Sequence, residues 1–488
     1  MPLHIVAFEI GSSHIKGAVG IVDESKNINI VAIEEVPLVG CVRYGCVLNV
    51  EETGNRILEI KRKLENHATI SPSKIAGAFV SLGGRSLASY SVEVSRILGD
   101  ETEISREIIK QLMDQAKTSW NTEKEILSVI PGSFCVDGRW QRNPVGTYGT
   151  ELKGRFSLVV ANKDCKKNIR RAFERAGLKI IGNVVSPLAQ ADTVLTPDER
   201  ALGCVLVDFG AETTTVSIYK DLALRYLATI PLGGRAITRD LASALSLTED
   251  RAEEIKLFQG SALMAEPDMQ AQRNIDGLDT TTINNYVQAR ASEIVANVLQ
   301  QITYAHIKPE DLPAGFIITG GTSHLRGIKE LLHRDSSGMK VRNGVPAGLV
   351  RFSNPSIFAG QMVDVVSIIT AAQRMGDKAE CLMDVNIGMT HMQSQQQDYN
   401  DNDYQSGESS VADRIQSQIL RTQDTDHRKS VKKDESQQIR VPRWGQFDKN
   451  DDDDPIDEHM QGKKPNFLVN LKDKLVSLIS ENEDEDEI

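Results

Sequence analysis

Short apolar runs of the kind that form β-strands alternate with helical patterns along residues 1–385. The strand-forming runs include FSLVVA, KIIGNVV, GCVLVDFG, TVSIY and GFIITGG. Apolar residues recur at helical spacing in NRILEIKRKLENH, ISREIIKQLMDQAKTSW and NNYVQARASEIVANVLQQITYAHI. Glycine or proline stands at many of the joints between these segments. The alternation predicts an α/β architecture for this part of the chain.

The pattern changes after about residue 385, where polar stretches such as HMQSQQQDYNDNDYQSGESS replace the apolar runs. A segment of this composition buries too little apolar surface to offset the entropy that it loses on ordering. Residues 386–462 are therefore predicted to be a disordered linker.

A helical pattern returns in residues 463–488, where a predicted helix of about four turns carries one apolar stripe beside several lysines. The stripe consists of Phe467, Leu468, Leu471, Leu475, Leu478 and Ile479. A helix that packs on the protein's own core would show the same stripe. The long linker favours a separate surface, and the lysines favour anionic lipid. We expect reversible membrane binding, because an acidic tail follows the helix.

Composition narrows the classes of function. The chain has 488 residues and 40% hydrophobic content, enough for a large core and more than one lobe. Its net charge of -12 argues against non-specific DNA binding, so nucleic acid is not an expected partner. The six cysteines lack paired C-x-x-C spacing and are expected to be reduced thiols of a cytosolic protein. Neither a secretion signal nor a membrane-spanning segment is expected.

Two similar loops interrupt strand pairs in distant parts of the chain. The first lies in HIVAFEIGSSHIKGAVGIV and the second in VDFGAETTTVSIY. In each, a carboxylate (Glu9 or Asp208) precedes a glycine (Gly11 or Gly210) and small hydroxyl residues. Glycine lets the backbone approach a ligand, and the N–H and hydroxyl groups of a tight hairpin donate to phosphate oxygens. The carboxylates suit the water shell of Mg²⁺. The two loops are predicted to clamp one polyphosphate from both sides.

Two further motifs complete the set. The run ITGGTSHLRG is a strand that continues into a glycine turn and then a helix, where bare backbone suits contact with a nucleoside. The run AEEIK places Glu253 and Lys256 three residues apart on one helical face. Each motif alone is typical of an ordinary turn or helix. The four motifs in this order favour a nucleotide site.

With these motifs the chain resembles the actin-like ATPase superfamily, which includes actin, Hsp70 and the sugar kinases. FEIGSSHIKG and VDFGAETTTVSIY are similar to its phosphate loops, ITGGTSHLRG to its adenosine loop and AEEIK to its adenine-side helix. The IKG after the first loop, PLGGRAITRDLA at residues 231–242, the long linker and the terminal helix resemble the FtsA family of bacterial cell-division proteins. The resemblance covers residues 3–385 and the C-terminal tip.

The resemblance implies an α/β, actin-like fold of two lobes built from duplicated ribonuclease-H-like domains, with an inserted small subdomain, a disordered linker and a C-terminal amphipathic helix. The implied boundaries are residues 1–82, 162–202 and 352–385 for the first lobe, 83–161 for the inserted subdomain, 203–235 and 301–351 for the second-lobe core, 236–300 for its outer subdomain, 386–462 for the linker and 463–488 for the terminal helix and acidic tail.

The resemblance also implies ATP and Mg²⁺ as cofactors. The residues expected to bind the nucleotide are Gly11, Ser12, Ser13, Lys16, Asp208, Gly210, Thr213, Thr214, Gly234, Glu253, Lys256, Gly320, Gly321 and Ser323. Asp208 and Glu9 are expected to face the metal through water. Glu9 stands where most of the superfamily has Asp, which lengthens the reach of the carboxylate by one methylene.

Hydrolysis is expected to be slow at most. Polymerising relatives such as MreB carry a glutamate that orients the attacking water, and Ser186 stands at that position here. A hydroxyl cannot serve as a carboxylate base, and the loss of such a group costs about 100-fold to 10,000-fold in rate. Gln190 is an alternative water-orienting residue, but the sequence does not require it. No catalytic residue is assigned.

The function implied by the resemblance is an ATP-binding protein that polymerises on the cytoplasmic face of the inner membrane and tethers FtsZ filaments at the division site during septum formation. Its expected partners are the C-terminal peptide of FtsZ, further copies of itself, membrane lipids and later division proteins. Arg290 resembles an arginine that takes part in FtsZ docking, and an ordinary helix-face arginine is the alternative. A small-molecule kinase of the same superfamily and a pilus-assembly adaptor of the FtsA-like fold are the alternative functions.

Overall fold

The structure is a computed structural model that describes residues 2–120, 123–263, 279–346, 350–354 and 359–383. The chain divides into two units, residues 1–407 and 408–488, and the described residues all belong to the first. The predicted linker (386–462) and the predicted membrane helix (463–488) lie outside the described residues.

The strands in chain order are β1 (Leu3–Ile10), β2 (His14–Val22), β3 (Ile28–Pro37), β4 (Val42–Arg43), β5 (Cys46–Val47), β6 (Lys74–Ile75), β7 (Gly77–Leu82), β8 (Ala88–Glu103), β9 (Lys124–Val136), β10 (Arg139–Gln141), β11 (Tyr148–Asn162), β12 (Lys179–Val185), β13 (Cys204–Phe209), β14 (Thr214–Lys220), β15 (Ala223–Ile230), β16 (Gly315–Thr319), β17 (Val341–Asn343), β18 (Val350–Phe352) and β19 (Leu382–Met383). The helices are α1 (Val50–Glu65), α2 (Arg106–Thr118), α3 (Lys163–Arg175), α4 (Ser186–Val194), α5 (Pro197–Leu202), α6 (Gly234–Ala244), α7 (Glu249–Phe258), α8 (Thr280–Tyr304), α9 (Ile328–Asp335) and α10 (Val363–Ala372). A 3-10 turn at Gly321–His324 follows β16.

The same sheet topology occurs twice. In the first lobe the strand order is β3-β2-β1-β7-β12, with β18 added beside β3. In the second lobe the order is β15-β14-β13-β16-β17. In both sheets the first three strands of the lobe pair antiparallel, and the next two run parallel to the first strand. This repeated order confirms the expected duplicated, two-lobe α/β fold.

Local sequence accounts for the helices that cover these sheets. At the start of α1 the Asn49 side chain accepts a hydrogen bond from the Glu52 N–H and so caps the helix. Acidic residues occupy the first turn and basic residues the last turn, as the helix dipole favours. The buried residues Ile57, Ile60 and Leu64 recur at helical spacing and face the sheet. The other two long helices predicted from periodicity, α2 and α8, also form.

The inserted subdomain consists of β8–β11 and α2, between β7 and α3. It has its own core, in which the Phe134 and Phe156 rings pack edge to face with centroids 5.8 Å apart. Its chain leaves and rejoins the first lobe at one point, where the Asn162 N–H donates to Ser86 Oγ at 3.0 Å. Strand β8 nevertheless joins the second-lobe sheet, since Ala88 pairs with Ala228 on β15.

All the strand-forming runs predicted from the sequence are strands, including both arms of the opening hairpin. Within the described ranges, no helix combines the length and the hydrophobicity that crossing a bilayer requires.

Candidate functional site

The two predicted loops have the same backbone closure. The Gly11 N–H donates to the His14 carbonyl at 3.0 Å, and the Gly210 N–H donates to the Thr213 carbonyl at 2.9 Å. A Cβ on either glycine would lie under 3.0 Å from that carbonyl oxygen. Only glycine therefore fits these turns without a shift of the backbone.

The carboxylates that precede the two loops belong to one cluster between the lobes. Gln190 on α4 is fully buried, and its Nε2 donates to Asp208 Oδ2 at 2.9 Å and to Asp364 Oδ1 at 2.5 Å. Asp364 lies in the first turn of α10. Glu9 adds a further carboxylate from β1, directly opposite Lys16 on β2. Two first-lobe helices and a first-lobe hairpin thus meet the second-lobe Asp208.

Negative charge dominates this cluster. Burial, together with repulsion from Asp364, raises the pKa of Glu9 to about 8, although Lys16 opposes the shift. Burial and Asp364 likewise raise the pKa of Asp208 to about 7, against the hydrogen bond from Gln190. Burial works against the charge of Lys16, but Asp364 and Glu9 outweigh it and raise the lysine pKa. One lysine among three carboxylates leaves room for additional positive charge.

The Gln190 side chain also leaves one polar atom unsatisfied. Its Oε1 is buried and has no hydrogen-bond partner among the described residues. The amide orientation follows from its neighbours, because two carboxylates require the NH₂ group on their side. A donor such as a metal-bound water would satisfy Oε1. No group of three or more His, Cys, Asp or Glu in the described ranges is arranged for direct metal ligation. Carboxylate oxygens beside an unsatisfied amide oxygen are acceptors to which the water shell of a cation such as Mg²⁺ can donate.

The second loop is fixed by the start of α6 and by the turn after β16. The Gly234 N–H donates to the Gly210 carbonyl at 3.0 Å, and the Arg235 N–H donates to the Ala211 carbonyl at 2.7 Å. Thr322 Oγ1 donates to the same Gly210 carbonyl at 2.9 Å. A Cβ on Gly234 would lie 2.2 Å from Thr322 Oγ1, so this position requires glycine.

The two glycines after β16 differ in their surroundings. Gly320 has a φ of +84°, and a Cβ there would lie 2.3 Å from Asp208 Oδ1. A Cβ on Gly321 would meet no atom within 4 Å. The Ser323 hydroxyl is buried and donates to the Gly320 carbonyl at 2.6 Å. Gly320 thus packs against the carboxylate cluster, whereas Gly321 borders open space.

Glu253 and Lys256 lie beside the second loop. Lys256 is buried, and its Nζ donates to Glu253 Oε2 at 2.7 Å and to the Gly234 carbonyl at 3.2 Å. Its Nζ also lies 3.1 Å from Thr238 Oγ1. Burial lowers the pKa of Lys256, and Glu253 opposes that shift. The pair holds α7 against the start of α6, and through Gly234 it supports the Gly210 turn.

Several hydroxyl groups predicted to meet phosphate are engaged within the protein. Ser12 Oγ accepts from the Gly45 N–H at 2.9 Å, and Ser13 Oγ lies 3.1 Å from His14 Nδ1. Thr214 is fully buried and donates to the Leu232 carbonyl at 2.8 Å. Thr213 is partly buried at the tip of the second loop.

A short hairpin connects the two loops. We call residues 42–47, which contain β4 and β5, the clasp. The Gly45 N–H binds Ser12 of the first loop, and the Tyr44 N–H donates to Glu212 Oε2 of the second loop at 2.7 Å. The Glu212 side chain is only 2% exposed and also binds Arg239 at 3.1 Å. A buried carboxylate therefore holds the second loop to the first lobe.

Arg290 lies on α8 and binds acidic residues of α6 and of its own helix. It binds Asp240 on α6 through two hydrogen bonds, Nε to Oδ2 at 2.6 Å and Nη2 to Oδ1 at 3.0 Å, and also binds Glu293. The hydrogen bonds to Asp240 raise the pKa of Arg290. The residue is partly buried and braces α8 against α6, so it is not an ordinary solvated arginine of a helix face.

Sequence reasoning missed Asp364 and the bridging role of Glu212. Asp364 carries the only charge in the apolar run VDVVSIITAA, and an isolated carboxylate in a buried helix was the available signal. Glu212 stands among small residues at the loop tip, but its partner Tyr44 is 168 residues away. Gln190, the alternative water-orienting residue in the sequence, lies at the centre of the cluster and donates to both Asp208 and Asp364.

Comparison with known proteins gives concordant matches. The family model described as "Cell division protein FtsA" matches residues 205–361, and the one described as "SHS2 domain inserted in FTSA" matches residues 84–160. The cell division protein FtsA of Porphyromonas gingivalis is 34% identical over 340 residues, which cover 66% of this chain and 70% of that protein. The cell division protein FtsA of Pseudomonas aeruginosa is 30% identical over 357 residues, which cover 70% of this chain and 83% of that protein. A chain of the PilM-PilN type IV pilus biogenesis complex is similar in fold, with a TM-score of 0.52 at 17% identity, over 75% of this chain and 97% of that one.

Proposed function

The chain belongs to the FtsA family of cell-division proteins, and on that basis we propose that it binds ATP with Mg²⁺, polymerises on the cytoplasmic face of the cell membrane and tethers FtsZ filaments during septum formation. The observation that carries the nucleotide part is the carboxylate cluster of Glu9, Asp208 and Asp364 between two glycine hairpins of identical closure.

Different residues of the cleft would bind the metal, the phosphates and the nucleoside of Mg-ATP. Glu9, Asp208 and Asp364 would hold the water shell of the metal, and the buried Gln190 Oε1 would accept from one of those waters. Bound Mg²⁺ would neutralise phosphate charge and relieve the repulsion that raises the carboxylate pKa values. The backbone of the two hairpins and the Lys16 ammonium would face phosphate oxygens, and Gly321 would border the nucleoside.

The residues on α4 support the proposal of slow hydrolysis. Ser186 begins the helix, and Gln190 follows one turn later. The Gln190 amide is not basic, and its NH₂ group is held by two carboxylates. It can therefore orient a water but cannot remove a proton from it. We propose that nucleotide binding controls assembly and that turnover contributes little to it.

Calorimetric titration of the full-length protein with ATP, in Mg²⁺ and in EDTA, tests the nucleotide site. The wild type is expected to bind only with Mg²⁺, and Asp364→Asn is expected to lose about 10- to 100-fold in affinity. Asp114→Asn, which makes the same change at an exposed position of α2, serves as the matched control and is expected to bind like the wild type. Equal affinities for all three proteins would contradict the proposed site.

The membrane part of the proposal depends on the predicted helix in residues 463–488. Each large apolar side chain that enters lipid contributes roughly 1.5–3 kcal/mol before ordering costs, and each nearby lysine adds about 1 kcal/mol. A single helix of this kind binds reversibly. Polymerisation would join many helices on one filament and turn a modest affinity into strong overall attachment.

Liposome co-sedimentation with ATP and FtsZ tests the tether. The wild type is expected to pellet with anionic vesicles and to bring FtsZ with it, whereas Leu471→Glu combined with Leu475→Glu is expected to do neither. Asn470→Glu combined with Ser477→Glu adds the same charge to the polar face and should still pellet. If wild type and both variants stay in the supernatant, the tether is wrong, and ATP turnover stimulated by a small-molecule substrate would favour a kinase.

FtsZ docking is proposed for the outer part of the second lobe, where Arg290, Asp240 and Glu293 join α8 to α6. Arg290→Ala is expected to weaken binding of the FtsZ C-terminal peptide. Because Arg290 also braces two helices, the melting temperature must be measured in parallel. Lost binding at an unchanged melting temperature indicates direct contact, and unchanged binding would exclude Arg290 from the docking surface.

A further inference from the structure

Two cysteines meet at the base of the clasp. Cys46 lies in β5, and Cys165 lies in the first turn of α3, more than a hundred residues later. Their Sγ atoms are 3.0 Å apart, and Ser86 Oγ lies 3.8 Å from the Cys165 sulfur. Cys46 is partly exposed, whereas the other five cysteines of the chain, including Cys165 at 8% exposure, are buried. The pair is therefore reachable from one side.

The surroundings favour a thiolate on one of the two sulfurs. The hydrogen bond with Cys46, supported by that with Ser86, lowers the pKa of Cys165 to about 7 although burial opposes the shift. The N-terminal turn of a helix also stabilises a thiolate. The hydrogen bond with Cys165 and burial raise the pKa of Cys46. The Cys165 sulfur, in the first turn of a helix and beside Ser86, is thus the better-placed nucleophile, and Cys46 is its hydrogen-bonding neighbour.

We propose that Cys46 and Cys165 are a redox-sensitive pair that a hydroperoxide converts reversibly into a disulfide. The Cys165 thiolate attacks one peroxide oxygen, the O–O bond breaks, and Cys165 becomes a sulfenic acid while water leaves after protonation. The Cys46 sulfur then attacks the Cys165 sulfur and releases the second water. Two thiols and one hydrogen peroxide yield one disulfide and two waters. A small-molecule dithiol reverses the reaction.

Little movement is needed for the bond to form. A disulfide has an S–S distance of about 2.05 Å, so the two sulfurs need to approach by about 1 Å. The backbone around Cys46 is held from both sides, because the Asn168 side chain donates to the Val47 carbonyl at 3.0 Å and the Arg85 N–H donates to the Tyr44 carbonyl at 2.9 Å. The approach would therefore come from the two side chains, while the backbone stays where it forms the clasp.

The disulfide would lie next to the residues of the clasp that bind the two loops. Cys46 directly follows Tyr44 and Gly45, whose N–H groups bind Glu212 of the second loop and Ser12 of the first. An oxidised pair fixes the clasp in the position in which it holds both loops, so oxidation stabilises the joined state of the lobes. This step depends on the proposed function, because we expect a closed cleft to release bound nucleotide more slowly.

Mass spectrometry tests whether the disulfide forms, and this measurement does not depend on nucleotide binding. The reduced full-length protein is treated with hydrogen peroxide, quenched with catalase, digested and analysed by mass spectrometry, before and after dithiothreitol. We expect a cross-linked peptide that joins Cys46 to Cys165, a loss of two hydrogens per chain, and reversal by the reductant. Cys46→Ser and Cys165→Ser should lose the cross-link, and Cys41→Ala, at a buried cysteine beside the clasp, should keep it.

Overoxidation of Cys165 without a cross-link, or a cross-link of other cysteines at equal yield, would overturn the proposal. The consequence is measured by the release rate of a fluorescent ATP analogue from reduced and oxidised protein, with Cys165→Ser as the control that peroxide should not change. Slower release only from the oxidised wild type supports the coupling, and equal rates overturn it. If the reduced protein binds no nucleotide, the proposed function fails even where the cross-link forms.

Discussion

The two glycine hairpins have the same closure but different support. In the second loop, the Gly210 and Ala211 carbonyls accept hydrogen bonds from α6 and from Thr322. In the first loop, the hydroxyl of Ser12 binds the clasp and the Ile10 N–H donates to Ser81 Oγ at 3.3 Å. The first loop also carries Lys16 opposite its carboxylate, where the second has Thr215 opposite Asp208.

This difference indicates that the two copies of the glycine hairpin have different roles. The second loop is fixed by its own lobe, so it positions Asp208 against Gln190 and Asp364. The first loop supplies the cation of the cluster and contacts the clasp, which reaches the other lobe. Both copies of the turn thus contact the clasp, Ser12 within the first lobe and Glu212 across the lobes, but only the second copy is also held by α6 and Thr322.

The largest effect is expected where the second loop meets Gly320. Gly320→Ala places a Cβ 2.3 Å from Asp208 Oδ1 at a backbone φ of +84°, and the free energy of unfolding should fall by about 2–4 kcal/mol. Thermal melting and ATP titration measure the loss of stability and of binding. Gly321→Ala is the matched control, since its Cβ meets nothing, and it should leave stability unchanged while weakening nucleotide binding. Equal melting temperatures of both variants and wild type would contradict the packing of Gly320.

The next largest effect is expected on Mg-ATP affinity, and it should differ between the carboxylates of the two loops, Asp208 and Glu9. Asp208→Asn is expected to lower Mg-ATP affinity by about 10- to 100-fold, and Glu9→Gln less, because Lys16 stands opposite Glu9 on the neighbouring strand and offsets part of its charge. Both carboxyl groups have pKa values raised to about 7 and about 8, so wild-type affinity should rise between pH 6 and pH 8.5 as they lose their protons. Titration across that range measures the trend, and affinity that falls with rising pH would contradict it.

The same shifts predict the pH dependence of stability without ligand. A carboxyl group whose pKa is raised on folding stabilises the protein below its ordinary pKa, and that contribution disappears as the pH rises through the raised value. The ligand-free wild type should therefore lose stability between about pH 4 and pH 8 through Glu9 and Asp208. Asp208→Asn should melt a few degrees above wild type at pH 8 and show little gain at pH 5.

A smaller effect is expected at the contact between the second loop and the clasp. Glu212→Gln keeps the shape of the side chain and one acceptor oxygen, but it removes the charge and replaces the second oxygen with an NH₂ group. Tyr44 and Arg239 can then no longer both donate to this side chain, at a cost of about 1–3 kcal/mol. Amide hydrogen exchange in residues 42–47 should become faster, while exchange in β13 stays as in wild type. Unchanged exchange in the clasp would show that Glu212 does not join the lobes.

The smallest effects distinguish internal from ligand-directed hydroxyl groups. Ser12→Ala and Thr214→Val each remove one internal hydrogen bond and should reduce the free energy of unfolding by about 1 kcal/mol. Thr214→Val should leave ATP affinity unchanged, because its hydroxyl donates to Leu232. A clear loss of ATP affinity in Thr214→Val, measured by calorimetry, would show that the Thr214 hydroxyl contacts the phosphates after all.

The local pattern of apolar residues and glycines was sufficient to predict the strands, the long helices and the glycine turns. Alternation and helical spacing depend on near neighbours, and Gly11 and Gly210 each close a turn on a carbonyl three residues later, whereas the requirement for Gly234 comes from Thr322, far along the chain. The carboxylate cluster was only half predictable, because Asp364 reaches Gln190 across 174 residues of chain. Side-chain detail was the least predictable part: the sequence shows that Ser12 and Thr214 carry hydroxyls but not that backbone groups of the same protein engage them.

The inserted subdomain has a mechanical consequence. Its chain is rooted in the first lobe where Asn162 binds Ser86, yet Ala88 and the Leu227–Ser89 hydrogen bond of 2.8 Å tie it to the second-lobe sheet. Ser157 Oγ on β11 also donates to the Leu224 carbonyl on β15 at 2.9 Å, and the part of β11 beyond that contact, residues 148–156, extends about 30 Å. The subdomain is thus attached where the two lobes meet and projects from that point: a lobe rotation of about 5° would displace its far end by about 3 Å over that length.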